Sequence, residues 1–184
     1  MDATNMLQCL VVDIADAALD PSVALHFVSD DAFGGIDIFV GRVRMANQGR
    51  DVTGIHYDMF DSLALAVFAK SAEKAILHYG PKIRIYVAHA KGRLNVGDFA
   101  VIVAVGTPHR DQAFRACRDV IEAVKHEAPI WKKEHYIDGS SEWSEGCALC
   151  VDETATMLAY EHIEHGQVIA CSAQESDMCG SAIA

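Results

Sequence analysis

KIRIYVAHAKGRLNVGDFAVIVAVGTPHRDQAFRACRDVIEAVKH, residues 82–126, decides the fold class. Two runs, Lys82 to Ala90 and Asp98 to Gly106, read as strands, joined by the connection KGRLNVGD. A helix follows directly, from Pro108 to His126. Thr107 suits its N-cap, and Pro108 suits its first position, where a missing N–H costs nothing. Phe114, Cys117, Ile121 and Val124 recur at helical spacing and supply its apolar stripe.

Working outward, Leu7 to Asp13 reads as a strand, and Pro21 to Ser29 as a short helix capped by Asp20. Gly35 to Arg44 is a strand with Ile36, Ile38 and Val40 on one face and Asp37, Phe39 and Gly41 on the other. Residues 47–50, Asn-Gln-Gly-Arg, make a turn or mobile loop before a strand from Val52 to Met59. Ser62 to Tyr79 is a long helix with Leu65, Phe68, Ala69, Ala72, Ile76 and Tyr79 on one side, ended by Gly80 and Pro81. So many consecutive strands exclude a doubly wound sheet. The expected class is α+β, one mixed sheet with two long helices on a face.

The bulk numbers narrow the function. A net charge of −11 argues against general binding to nucleic acid or anionic membrane, which needs broad basic surface. No leader-like segment and no apolar run of spanning length is read, so a cytoplasmic location with six reduced cysteines is expected. The charge is uneven. Residues 148–184 hold six acids and no Lys or Arg, whereas residues 1–147 carry 15 bases against 20 acids. That shift predicts a folded domain over 1–147 and an acidic, Cys-containing extension over 148–184, partly helical or disordered.

Against that background, His109, Arg110, Arg115, Arg118, Lys125, Lys132 and Lys133 are concentrated between residues 107 and 134. Each base taken alone reads as part of a solvated face. Together they suggest a site for an anion. Arg110 in a first turn conflicts with the positive end of the helix dipole, and a bound phosphate or carboxylate would relieve the conflict. The exit, Pro129-Ile130-Trp131-Lys132-Lys133, reads either as a surface edge strand anchored by Trp131 or as a pocket wall. In the second reading a lysine beside apolar surface has its pKa lowered and serves as acid or base. Arg44, where a strand opens into a polar loop, is a third candidate.

These residues carry a resemblance. The segments GIDIFVGRVR, VGTPHRDQAF and AVKHEAPIWKKE, with HYDMFDSLA, HAKGRLNVGD and Trp143-Ser144-Glu145, are similar in order and type to the catalytic (large) subunits of molybdopterin synthase, over about residues 5–146. The resemblance implies an α/β hammerhead with an added small antiparallel subdomain. It implies a homodimer within a heterotetramer, each catalytic subunit binding a small ubiquitin-like sulfur carrier ending in a Gly-Gly thiocarboxylate. The implied reaction moves two sulfurs to cyclic pyranopterin monophosphate, forming the dithiolene of molybdopterin, with no cofactor or metal required. By motif position, Lys125 and Lys132 resemble the family's two catalytic lysines. Lys125 is the better match for acid/base work or for engaging the carrier's C-terminus, and Lys132 for positioning or protonating the pterin intermediate. Arg44, His109 and Arg110 resemble its substrate and anion contacts, with Trp131, Phe39 and Ile121 at pocket-wall positions. Phe39 and Ile121 also read as plain core. The resemblance implies a site that can draw residues from across the dimer, with the chain that supplies each left open. A late arginine of the family is replaced here in the region of Cys147.

The extension leaves alternatives open. Cys147, Cys150, Cys171 and Cys179 with His162 and His165 fit free thiols on a loose tail after a helix at 151–163, a zinc site, or a sulfur-handling role. Cys9 and Cys117 read as core. A different class also stands beside the enzyme, a non-catalytic scaffold that binds a sulfur carrier. Both lysines argue against it.

Overall fold

A computed structural model describes residues 6–144 of the chain. The chain divides into two units at Ser144/Glu145, and the extension's predicted helix and cysteines lie outside the described residues.

The elements run β1 (Leu7–Asp13), α1 (Pro21–Val28), β2 (Gly35–Arg42), β3 (Ala46–Asn47), β4 (Arg50–Met59), α2 (Asp61–Tyr79), β5 (Arg84–Asn95), β6 (Phe99–Thr107), α3 (Arg110–Glu127), β7 (Ile130–Tyr136) and β8 (Ser141–Trp143). The sheet order is β2-β6-β5-β4-β7-β8, with β1 beside β5 and β3 beside β4. Only the β1–β5 pairing is parallel among the described ladders. The mixed α+β sheet expected from the sequence is therefore the observed one.

Strand alternation separates two cores. Ile85, Val87, Val103 and Val105 face Phe68 and Ala72 of α2 and Cys117, Val120 and Val124 of α3. Tyr86, Ala88, Ile102 and Ala104 face Ala24 and Val28 of α1. The two long helices thus share one side of the sheet and α1 takes the other. At α1 the sequence reading holds in detail: Ser22 N–H donates to Asp20 Oδ1 at 2.8 Å, and Pro21 opens the helix.

Two expectations need correction. The segment KGRLNVGD is not simply a connection. Strand β5 runs on to Asn95, because Gly92 to Asn95 pair with Tyr57 to Gly54 of β4. Its first half belongs to the large sheet with β1 and β6, and its second half seeds the smaller antiparallel sheet β4-β7-β8. Gly92, at φ 92°, sits at the change of direction, where a side chain would be strained. Secondly, α3 starts at Arg110 rather than Pro108. His109 holds the cap position with extended backbone, and no side chain caps the helix. Thr107 Oγ1 donates to His109 O at 2.9 Å, and the Pro108 carbonyl accepts from Gly34 N–H at 3.3 Å. Those bonds hold 107–109 out of the helix.

His89 is 6% exposed, its Nδ1 lies 2.8 Å from Ala90 O, and Tyr57 meets its ring edge-on at 5.0 Å. Burial pushes its pKa down from 6.5 to about 4, the backbone hydrogen bond opposing only in part. Between those values the unfolded chain takes up a proton that the folded chain refuses. Stability from this residue is therefore full above pH 6.5 and lost as pH falls toward 4. The expected slope approaches ~1.4 kcal/mol per pH unit. Urea unfolding at several pH values should show that slope in the wild type and not in His89→Phe; an equal slope in both would contradict it.

Candidate functional site

Two groups of candidate bases stand toward opposite ends of α3, with Arg115 and Arg118 along the helix between them. The first lies at the helix C-terminus, around the exit of β2. Lys125 is exposed, and its Nζ stands 5.4 Å from the centroid of the Phe39 ring, a cation–π contact. Phe39 is half-buried against the helix core, and Ile121, one turn before Lys125, is 5% exposed. Phe39 and Ile121 both pack in the core, and the Phe39 ring also lies under Lys125.

Beyond the end of β2, a chain of polar contacts links two more sequence candidates. Lys132 Nζ pairs with Glu134 Oε1 at 2.8 Å. The other oxygen, Glu134 Oε2, accepts from Asn47 Nδ2 at 2.8 Å and from Tyr136 Oη at 2.9 Å. Arg44 Nη2 donates to Asn47 Oδ1 at 3.3 Å. Glu134 is only 3% exposed. Burial raises its pKa, but the hydrogen bonds from Lys132, Asn47 and Tyr136 outweigh that and hold it below the ordinary glutamate range. Across the β4–β7 ladder from Lys132 stands Tyr57, whose phenol is pushed up to about 12 by burial and by the Glu134 charge, Arg44 opposing.

Lys132 therefore does not rest on an apolar wall alone; it is held by a carboxylate. Trp131 needs a plainer correction. Successive residues of a strand point to opposite faces, so Trp131 turns away from the Lys132 side. It is 54% exposed and pairs across the ladder with Asp58. Within this chain it is neither the wall of the Lys132 site nor a core anchor. Nor is β7 an edge, since β8 covers its far side.

The second group is at the N-terminus of α3. Gly34, Pro108, His109, Arg110, Asp111 and Phe114 line an open depression of about 670 Å³. Phe114, expected in the apolar stripe, is 55% exposed and lines this depression instead. Gly35 makes the approach of β2 feasible: a Cβ there would stand 2.7 Å from Arg110 Cα. Uncapped first-turn amides, His109 and Arg110 together suit an oxyanion. Fifteen residues of helix put this depression about 22 Å from Lys125. One chain does not bring the two groups together.

Residues missed in the sequence are Glu134, Asn47, Tyr57 and Tyr136. Glu134 and Tyr136 alternate with Lys132 along one strand, a pattern that period-2 reading of β7 exposes. Among the described residues, no group of three or more His, Cys, Asp or Glu is placed to hold a metal ion. Cys9 and Cys117 have thiols pushed up to about 12, chiefly by burial, as expected of core cysteines.

The mixed α+β domain that carries this site is a fold shared with solved molybdopterin synthase structures. The structure from Staphylococcus aureus described as molybdopterin synthase superposes with TM-score 0.67 at 28% identity, covering 73% of this chain and 94% of that one. The family model described as MoaE protein matches residues 14–127. A molybdopterin synthase catalytic subunit of Synechococcus elongatus is 46% identical over 139 residues, 76% of this chain and 84% of the relative. One of Nostoc is 42% identical over 120 residues, 65% of this chain and 73% of the relative. The chain belongs to the MoaE family, the catalytic subunits of molybdopterin synthase.

Proposed function

We propose that the chain transfers two sulfurs to cyclic pyranopterin monophosphate, one from each of two thiocarboxylated copies of a small sulfur-carrier subunit that are left as carboxylates, yielding molybdopterin without a metal or other cofactor. The observation that carries the reading is the joint placement of Lys125 over Phe39, of Lys132 on the buried Glu134 carboxylate, and of Arg44 linked to that carboxylate through Asn47, in a member of this family. Substrate phosphate, carrier carboxylate and leaving thiolate are all anionic. Fixed cations at the site stabilise charge that develops on them without reorganising at the moment of reaction.

Lys125, exposed at the rim, is placed to meet the carrier's C-terminus and to exchange a proton there. Lys132, held by Glu134, serves as a fixed cation and donor toward the pterin. His109 and Arg110 form the phosphate pocket, and their distance from Lys125 supports a site completed by the second subunit of a homodimer. The working assembly is then a heterotetramer with one carrier per catalytic subunit, acting in the cytoplasm. No helix among the described residues is long and apolar enough to cross a membrane.

The test is reconstituted turnover. Purified protein, thiocarboxylated carrier and cyclic pyranopterin monophosphate should give molybdopterin, read as its fluorescent oxidised derivative. Carrier binding with no product would instead favour a non-catalytic scaffold and turn attention to the arginine missing near Cys147.

A further inference from the structure

We infer that Asn47 is a positioning residue that locks Arg44 and Lys132 into one geometry through Glu134, so that the substrate-binding guanidinium and the catalytic ammonium move as a unit. The inference rests on the site reading proposed above, and it adds a residue that no motif singled out.

The chemistry of the link is directional. Arg44 can only donate, and ionised Glu134 can only accept. A side chain joining them must accept on one side and donate on the other. Asn47 does so, taking Arg44 Nη2 on Oδ1 at 3.3 Å and giving Nδ2 to Glu134 Oε2 at 2.8 Å. Its neighbours fix the orientation of the amide, since the flipped amide would set N–H against N–H and oxygen against carboxylate. Glu134 then transmits the constraint to Lys132 through its other oxygen at 2.8 Å.

The backbone is built to hold Asn47 there. Asn47 pairs with Arg50 in a two-residue hairpin whose central residues, Gln48 and Gly49, have φ 49° and 76°. Two positive φ values in a tight turn match the right-handed twist of the flanking strands and leave little play in register. Arg50 anchors the same hairpin from the other side, its guanidinium 3.5 Å from the Tyr136 ring centroid and bonded to Glu142 and Asp138. Tyr136 also donates to Glu134. The hairpin is thus tied to β7 at two places, and Asn47 reaches across 87 residues of sequence to join the site. Arg44 is exposed and lies in the short stretch between β2 and β3, so Asn47 supplies a restraint that the ladder does not.

Asn47→Ala and Asn47→Asp test this in the reconstituted assay of the full chain with its carrier. Asn47→Ala should lower kcat by ~10-fold or more, because misplacement by an ångström is costly, with unfolding in urea close to wild type. Arg44→Ala/Asn47→Ala should lose little beyond Arg44→Ala, since residues acting as a unit are not additive. Asn47→Asp sets a second carboxylate against Glu134 at neutral pH. A proton shared between them recreates the missing donor, so activity relative to wild type should recover as pH falls, a signature that a merely structural role does not produce. Arg44→Ala and Lys132→Ala impaired beside wild-type kcat in Asn47→Ala, or an Asn47→Asp ratio flat with pH, would overturn the inference and leave the site standing. Unimpaired Arg44→Ala and Lys132→Ala would overturn both.

Discussion

Turnover of Lys125→Ala is expected to fall by ~10²–10⁴-fold, the range in which a positioned acid or base contributes. Thermal stability should stay near wild type, because the ammonium is exposed and its Phe39 contact contributes little at such a site. Lys125→Arg separates two roles. It keeps a cation over the ring but stays protonated at all working pH values. If Lys125 exchanges a proton with the carrier's terminus, arginine should be nearly as poor as alanine. If it serves as an electrostatic anchor, arginine should restore much of the rate. Wild-type turnover in Lys125→Ala would remove this end of α3 from the chemistry.

The second large effect is at Glu134. Its two oxygens receive Lys132, Asn47 and Tyr136, and it is 3% exposed. Glu134→Leu keeps the bulk and removes the acceptor of all three. An unpaired buried charge costs several kcal/mol, but Lys132 is 30% exposed and recovers part of its hydration. The loss of stability should therefore be about 2–3 kcal/mol. Turnover should fall at least as far as in Asn47→Ala, since both cations lose their common support. The pH dependence has a definite sign. Glu134 is held below its ordinary pKa in the fold, so its contribution is complete above the ordinary glutamate value and is lost as pH falls through the lower, folded one. Urea midpoints of wild type and Glu134→Leu should converge on acidification below that range. A constant gap would place the stabilisation in packing rather than in charge.

Local chemistry was legible in the sequence; register was not. Asp20 and Pro21 announce α1 because cap and first-turn preferences act within three residues. The face alternation of β2 and the helical stripe of α2 follow from periodicity alone. Pro108 misled because its carbonyl is claimed by Gly34, a contact 74 positions away that no local rule contains. Strand β5 looked shorter than it is because its second half is polar, and its pairing with β4 makes it a strand. The site shows the same division. Lys125, Lys132, Arg44, His109 and Arg110 are visible through local type and resemblance. Glu134 and Asn47 join Lys132 and Arg44 only when the β3–β4 hairpin and β7 are set side by side. Adjacency also misled: Trp131 and Lys132 are neighbours in sequence and opposites on the strand.

The proposed reaction needs a site that joins the Lys125–Lys132 end of one subunit to the His109–Arg110 pocket of another. Mixing two inactive variants, Lys132→Ala and Arg110→Ala, after reassortment of subunits tests it most directly. Statistical mixing should give half the dimers both changes, one per chain, and each such dimer would hold one intact site. The predicted result is recovery of roughly a quarter of wild-type turnover, with neither variant active alone. No recovery despite verified mixed dimers would mean that both groups act from one chain and that no site is shared between subunits.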